Sequence, residues 1–265
     1  MPLINRVFLA LLLFPSIALS ADLAREKRIA EQIEDAIFDG EPIYLKDGAH
    51  EFLSIYMRTE QSPALGGVIV VHGLGANPDW VDVVQPLRIG LPEHGWETLS
   101  IQVPVAREGA SESEWDTTVP EAAPRIDAAL EFLKQRNILN VAIVAHSHGA
   151  RMAAHFLANR QPKQVQAFVA IGMSADPSDR TTGNLAALRK INLPILDLYG
   201  ELDLPQVKDT ARERRLAARD AKNQRYRQTE VAGADHFFAN QSELLLAQVR
   251  SWLTREAGGS EIPSK

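Results

Sequence analysis

Cysteine is absent from this chain of 265 residues. Its absence excludes disulfides, thiolate metal sites, a cysteine nucleophile and lipidation at an N-terminal cysteine. A basic surplus is missing too: 28 Lys and Arg stand against 34 Asp and Glu, a formal charge of −6. A dedicated nucleic-acid binder or a polybasic membrane anchor would show the opposite balance. Beyond residue 21 no apolar run reaches the roughly 18 residues that a membrane-spanning helix needs. There is no internal repeat and no low-complexity linker. What remains is ordinary for a folded domain, with 45% hydrophobic and 23% charged residues. The length fits one domain with a short extension.

The first 20 residues read as an address. Arg6 supplies a positive start, residues 7–18 are apolar but interrupted by Pro15, and Ala18-Leu19-Ser20 is a small-x-small cleavage site. The run is too short to span about 30 Å of hydrocarbon at about 1.5 Å per residue. A cleaved signal peptide over 1–20 is therefore expected, with export, a periplasmic location and a mature chain starting at Ala21 or Asp22. Loss of Arg6 would take the formal charge from −6 to −7. No stable membrane insertion is expected after cleavage.

Apolar periodicity places the remaining elements. Residues 22–39 read as a helix, with Ile29, Ile33, Ala36 and Ile37 on one face and Asp39-Gly40 as its stop. Short strands follow at 42–46 and 51–58, split by Asp47-Gly48. Residues 68–71 are a β-branched run, typical of a strand buried on both faces. Asn77-Pro78 reads as the start of the next helix. Strands are then predicted at 98–103, 141–144, 165–171, 195–199 and 226–231. Helices are predicted at 121–137, 149–160, 205–221 and 241–255, with a short one near 184–190. The Gly/Ser/Pro-rich tail 257–265 is expected to be disordered. This alternation predicts an α/β fold, a mostly parallel central sheet with helices on both faces. The extension covers 21–40 and the domain 41–256. Sites in such folds form beyond the carboxyl ends of the strands.

Four segments sit there. After 141–144 comes Ala145-His146-Ser147-His148-Gly149-Ala150, a small-x-Ser-x-Gly turn into a helix. A sharp strand-to-helix turn exposes one serine, and the helix N-terminus offers an N–H and a positive dipole end to an oxyanion. After 68–71 comes His72-Gly73-Leu74-Gly75, whose glycines let the backbone present N–H groups. It lacks the Lys-Ser/Thr of a phosphate-binding loop and the spacing of a dinucleotide fingerprint. After 195–199 comes Gly200-Glu201-Leu202-Asp203, and after the last strand Gly233-Ala234-Asp235-His236. Each segment alone has a bland reading as a capped turn. Together, in the order Ser147, Asp203, His236, they form a nucleophile, an orienting acid and a general base.

Chain order favours Asp203 as the acid over Glu201, Asp176 and Asp235. His72 is expected to brace the loop that bears the Leu74 N–H, which with the His148 N–H would hold the oxyanion. His146 and His148 flank the serine and are expected to point away from it. Their His-x-His spacing lacks a third ligand, so neither a metal nor a cofactor is assigned. Arg212, Arg214 and Arg215, with Glu213, read as a solvated helix face. Trp96 reads as core, while Trp80, Phe237 and Phe238 stay open between pocket and core. Only about 22 residues follow the 165–171 strand before the next, which leaves no room for a large lid. Residues 104–120, with Glu108, Glu112, Glu114, Trp115 and Asp116, are expected to form an open, partly acidic mouth.

These segments resemble the α/β-hydrolase superfamily over residues 41–255, and the Ala145-to-Gly149 elbow is similar to that of some small bacterial lipases. Asn77-Pro78-Asp79-Trp80, Pro86-Leu87-Arg88 and Gly95-Trp96-Glu97-Thr98-Leu99 look like an exported proteobacterial branch of unknown function. The resemblance implies a serine hydrolase, carboxylesterase- or lipase-like, acting on a small-molecule ester or acyl substrate. It supplies no substrate. The alternative is an exported binding or scaffolding module on the same fold, since fold does not fix function.

Overall fold

The computed structural model describes residues 21–48, 50–178 and 183–258. The expected signal segment and most of the expected tail lie outside these. The chain runs α1 (Leu23–Glu34), β1 (Glu41–Lys46), β2 (Glu51–Met57), β3 (Gly66–Val71), α2 (Val84–Gly90), β4 (Trp96–Ile101), α3 (Glu112–Thr117), α4 (Ala122–Gln135) and β5 (Val141–His146). It continues through α5 (His148–Arg160), β6 (Val165–Ile171), α6 (Asn184–Leu188), β7 (Ile195–Leu202), α7 (Pro205–Lys208), α8 (Ala211–Asp220), β8 (Tyr226–Asp235) and α9 (Ser242–Glu256). The eight strands form one sheet in the order β1-β2-β4-β3-β5-β6-β7-β8. β1 and β2 pair antiparallel, as do β2 and β4, and every pair from β4 to β8 is parallel.

The central strands are apolar on both sides because both faces are covered. β3 and β5 are buried along their whole length. Ile69, Val71, Ile143 and Ala145 face one core with Ile126, Leu133 and Phe156 of α4 and α5. Val68, Val70, Ala142 and Val144 face the other, with Leu87, Leu245, Val249 and Trp252 of α2 and α9. Trp96 is core, fully buried. Among the described residues no helix is long and apolar enough to cross a membrane.

α1 is joined to this body. Ala30 and Ile33 pack on Leu53 and Ile55 of β2. Glu26, buried beneath them, pairs with Arg125 of α4 at 2.8 Å and accepts the Val105 N–H at 3.1 Å. The helix stops at Glu34, earlier than the periodicity suggested.

Two helix expectations need correction. Asn77-Pro78 does not start a helix; α2 begins at Val84. Asn77 Oδ1 instead accepts the Asp79 N–H at 2.8 Å, and Asp79 clamps the buried Arg88 through Nε (3.1 Å) and Nη2 (2.5 Å). The helix expected over 205–221 is broken into α7 and α8. Arg214 Nη1 donates to the Val207 carbonyl at 2.7 Å, occupying the acceptor that a continuous helix would offer to residue 211. That arginine is also no part of a solvated face. It is fully buried, with Nε donating to Asp197 of β7 at 2.8 Å, and Tyr226 and Gln228 complete the cluster around the same carboxylate.

Candidate active site

The carboxyl edge of the sheet brings the three predicted residues together. Ser147 caps α5 with φ +53° and ψ −120°, a left-sided conformation that costs a non-glycine residue about 1–3 kcal/mol. Two contacts hold it there. The Ser147 N–H donates to the Ile171 carbonyl at 2.8 Å, and Gly149 lies so close to the β3 loop that a Cβ would fall 2.2 Å from the His72 carbonyl oxygen. The x-Gly of the elbow therefore lets α5 press against the His72-Gly73 loop.

His236 lies in the loop after β8 and Asp203 just after β7. A bulge between Gly200 and Leu202 turns the chain towards His236. It requires glycine, since a Cβ on Gly200 would lie 2.1 Å from the Ala234 carbonyl oxygen. The Ser147 hydroxyl donates to His236 Nε2 at 3.0 Å, and His236 Nδ1 donates to Asp203 Oδ1 at 2.6 Å. Asp203 also accepts the Leu204 N–H at 2.7 Å and the Gly200 N–H at 3.2 Å. Burial pushes its pKa up, but the hydrogen bond and charge of His236, with the two amides, outweigh this and hold the carboxyl below its ordinary value. The rival acids are committed elsewhere. Asp176 accepts from Ser178 within its own turn, Glu201 takes the Gly233 N–H, and Asp235 takes the Phe237 and Ala239 N–H groups.

Leu74 and His148 line the same cavity as Ser147. Their main-chain N–H groups make no backbone hydrogen bond among the described residues. His72 braces this loop from below. Its Nδ1–H donates to the Gly73 carbonyl at 2.9 Å, while Nε2 accepts from the Val103 N–H at 3.1 Å and from Gln102 at 3.0 Å. The ring is thereby fixed as the neutral Nδ1–H tautomer, and burial lowers its pKa to about 4.

His146, expected to point away from Ser147, has its ring against the His236 segment. Its Nε2–H donates to the main-chain carbonyl of His236 at 3.0 Å, and the two imidazole centroids are 4.8 Å apart. Being the residue before Ser147, it ties the end of β5 to the His236 loop. Burial and then the neighbouring His236 lower its pKa to about 4. His148 turns the other way, edge-on to Trp115 at 5.8 Å, and burial lowers its pKa to about 4 as well.

The triad opens into a cavity of about 570 Å³. Trp80 and Phe237 line it, whereas Phe238 is core. In the expected, partly acidic mouth two of the four carboxylates are paired. Glu114 is locked in a capping box with Ser111 and paired to Arg107 at 2.8 Å, which hold its carboxyl down to about 2. Asp116 is paired to Arg151. Of the carboxylates lining the cavity, Glu112 alone has no ion-pair partner among the described residues. Arg151 escaped the sequence reading, although it lies four residues after Ser147 and hence on the same helix face. Ser174 and Gln206, after β6 and β7, were missed too; their only signal was their position past a strand end.

Comparison with known proteins follows the same outline. Residues 15–124 and 107–255 match a family described as a protein of unknown function (DUF3530). The chain belongs to this family. No curated protein matches its sequence. Among solved structures it is similar to an esterase of Pyrococcus furiosus, at 15% identity and a TM-score of 0.67, over 85% of this chain and 95% of that one. Est1E of Butyrivibrio proteoclasticus matches at 13% identity and a TM-score of 0.64, over 82% and 99%. An esterase domain from Rhodothermus marinus matches at 15% and 0.65, over 83% and 100%. At such identities the likeness is one of fold, and the fold is that of the α/β-hydrolases.

Proposed function

We propose that the protein is an exported serine hydrolase that cleaves an ester or related acyl bond through Ser147, His236 and Asp203. The observation that carries this reading is the unbroken hydrogen-bond chain from Ser147 through His236 to Asp203, at 3.0 and 2.6 Å, opening into the cavity. Ser147 Oγ attacks the carbonyl carbon as its proton passes to His236 Nε2. The carbonyl oxygen takes the developing charge, which the Leu74 and His148 N–H groups and the N-terminus of α5 receive, each donor worth about 3 kcal/mol. His236 returns its proton to the leaving oxygen or nitrogen, the carbon–heteroatom bond breaks, and an acyl-serine remains. Water then attacks the acyl group by the same route, giving its proton to His236 and releasing acid and free serine. Asp203 keeps the Nδ1 proton of His236 in place and stabilises the imidazolium.

The test is turnover of a panel of simple esters. Ser147→Ala and His236→Ala should each remove nearly all of it. Asp203→Asn should stay folded and lose about 10³–10⁴ in kcat. Near-normal turnover in Ser147→Ala would overturn the reading.

Export rests on the residue pattern of 1–20 and on one contact at its far end. The Ala21 nitrogen lies 3.2 Å from the Glu121 carboxylate. Cleavage after Ser20 would make that nitrogen an ammonium beside a carboxylate. N-terminal sequencing of envelope protein should return Ala21 or Asp22; Met1 would contradict export with processing.

A further inference from the structure

The cavity has two walls that differ in charge, and the sheet order separates them. Both carry apolar groups, Leu74 at 50% exposure on one, but among the described residues only one wall is free of ionisable carboxylates. Ser147 follows β5, in the middle of the sheet. The loops after β3 and β4, with Leu74, Glu112, Trp115 and Asp116, stand on one side. The loops after β6, β7 and β8, with Ser174, Leu204, Gln206, His236 and Phe237, stand on the other.

The wall beside His236 carries no charged side chain among the described residues that line the cavity. Its bulk is two large apolar groups left in the open, Leu204 at 39% and Phe237 at 42% exposure. Large apolar side chains exposed together beside reacting atoms are the informative exception on a protein surface. Both are held there by the triad's own loops. Leu204 follows Asp203 and donates its N–H to that carboxylate at 2.7 Å. Phe237 follows His236, its N–H fixed by Asp235 at 3.0 Å, and its ring stands edge-on to the His236 imidazole at 5.1 Å. Phe238, buried at 1% exposure with φ +54°, anchors the turn that displays its neighbour.

The chemistry assigns an occupant to this wall. In an acyl transfer His236 Nε2 must pass its proton to the leaving atom, so that atom lies within hydrogen-bond reach of His236. Whatever group it bears extends along Leu204 and Phe237. We infer that Leu204 and Phe237 form the leaving-group subsite, and that the substrates are esters whose leaving alcohol is uncharged and apolar, an alkyl or aryl group. This rests on the acyl-transfer reading above. It adds which half of the substrate the apolar wall selects.

Two ester series decide it. One keeps the acetyl group and lengthens the alcohol from methyl to butyl; the other keeps methanol and lengthens the acyl chain from acetyl to pentanoyl. Simple primary alcohols leave almost equally well from ethyl onward, so the slope reads contact rather than leaving ability. In the alcohol series kcat/KM should rise by about two- to fourfold per methylene, the lower figure for a wall covered on one side only. Leu204→Ser and Phe237→Ser should each flatten that slope and leave the slope of the acyl series as it was. Because the comparison is of slopes within one variant, a general loss of rate does not disturb it. A flat alcohol series, or a slope in the acyl series that the two variants abolish, would overturn the subsite while leaving ester hydrolysis standing. No turnover in either series, with Ser147 still labelled by a fluorophosphonate, would overturn the subsite alone. No turnover and no labelling would overturn the acyl-transfer reading as well.

Discussion

Acidification should unfold this protein through its histidines before its carboxylates. His72 and His146 are buried and His148 half-buried around the elbow, and loss of solvent lowers each pKa from 6.5 to about 4. In the unfolded chain the same rings titrate near their ordinary value. Around and below the unfolded value the unfolded chain binds protons that the folded chain refuses, so stability is complete by about pH 7.5 and falls as the pH drops through 6.5 towards 4. At pH 5 each ring then destabilises the fold by about 2 kcal/mol, and the three together by about 6 kcal/mol. Unfolding at that pH should take up about 2.6 protons from these rings. Glu26, whose carboxyl burial raises, acts in the opposite sense, one group against three. Domains of this kind are stable by about 5–15 kcal/mol, so the loss is a large share of the total. Urea unfolding at pH 7.5, 6.5, 5.5 and 5.0 measures it directly. The extrapolated stability should fall by about 1 kcal/mol between the first two and by about 5 kcal/mol more by pH 5.0. A midpoint unchanged from pH 7.5 to 5.0 would refute the neutral state assigned to these rings.

Two further outcomes follow from close contacts. Gly149→Ala places a methyl where the His72 carbonyl already sits, 2.2 Å away. It should cost about 1–3 kcal/mol in urea unfolding and, by moving the Leu74 loop against Ser147, lower kcat by about 10²-fold; a variant with wild-type stability and rate would contradict the packing. Arg214→Met strands the buried carboxylate of Asp197 and should lose about 3–5 kcal/mol. A loss below about 1 kcal/mol, the worth of an exposed pair, would show that this ion pair is not buried in solution.

The strands were legible because a sheet covered on both faces writes itself as unbroken apolar runs, as at Val68–Val71 and Val141–Val144. The positions after those runs were legible for the same reason, and so were Ser147, Asp203 and His236. What the sequence concealed depends on partners far along the chain. Arg214 looks like one member of a charged run until Asp197, 17 residues earlier, is placed opposite it. The signal was Asp197 itself, a carboxylate inside the otherwise apolar run 195–199 of β7. The contact of His146 was not legible because alternation along β5 gives the direction of a side chain but not the His236 carbonyl, 90 residues on, that it meets. Within residues 104–120 a count of carboxylates does not reveal which are paired: Ser111 and Arg107 hold Glu114, and Arg151 answers Asp116.

The central claim is that Ser147 is a nucleophile activated by His236. It is met most directly by treating the folded protein with a fluorophosphonate and locating the adduct by peptide mass spectrometry. The account predicts one phosphonyl group per chain, on Ser147, with labelling lost in Ser147→Ala and reduced by orders of magnitude in His236→Ala. A folded wild-type protein that stays unlabelled, or one that carries the adduct on a different residue, would contradict it.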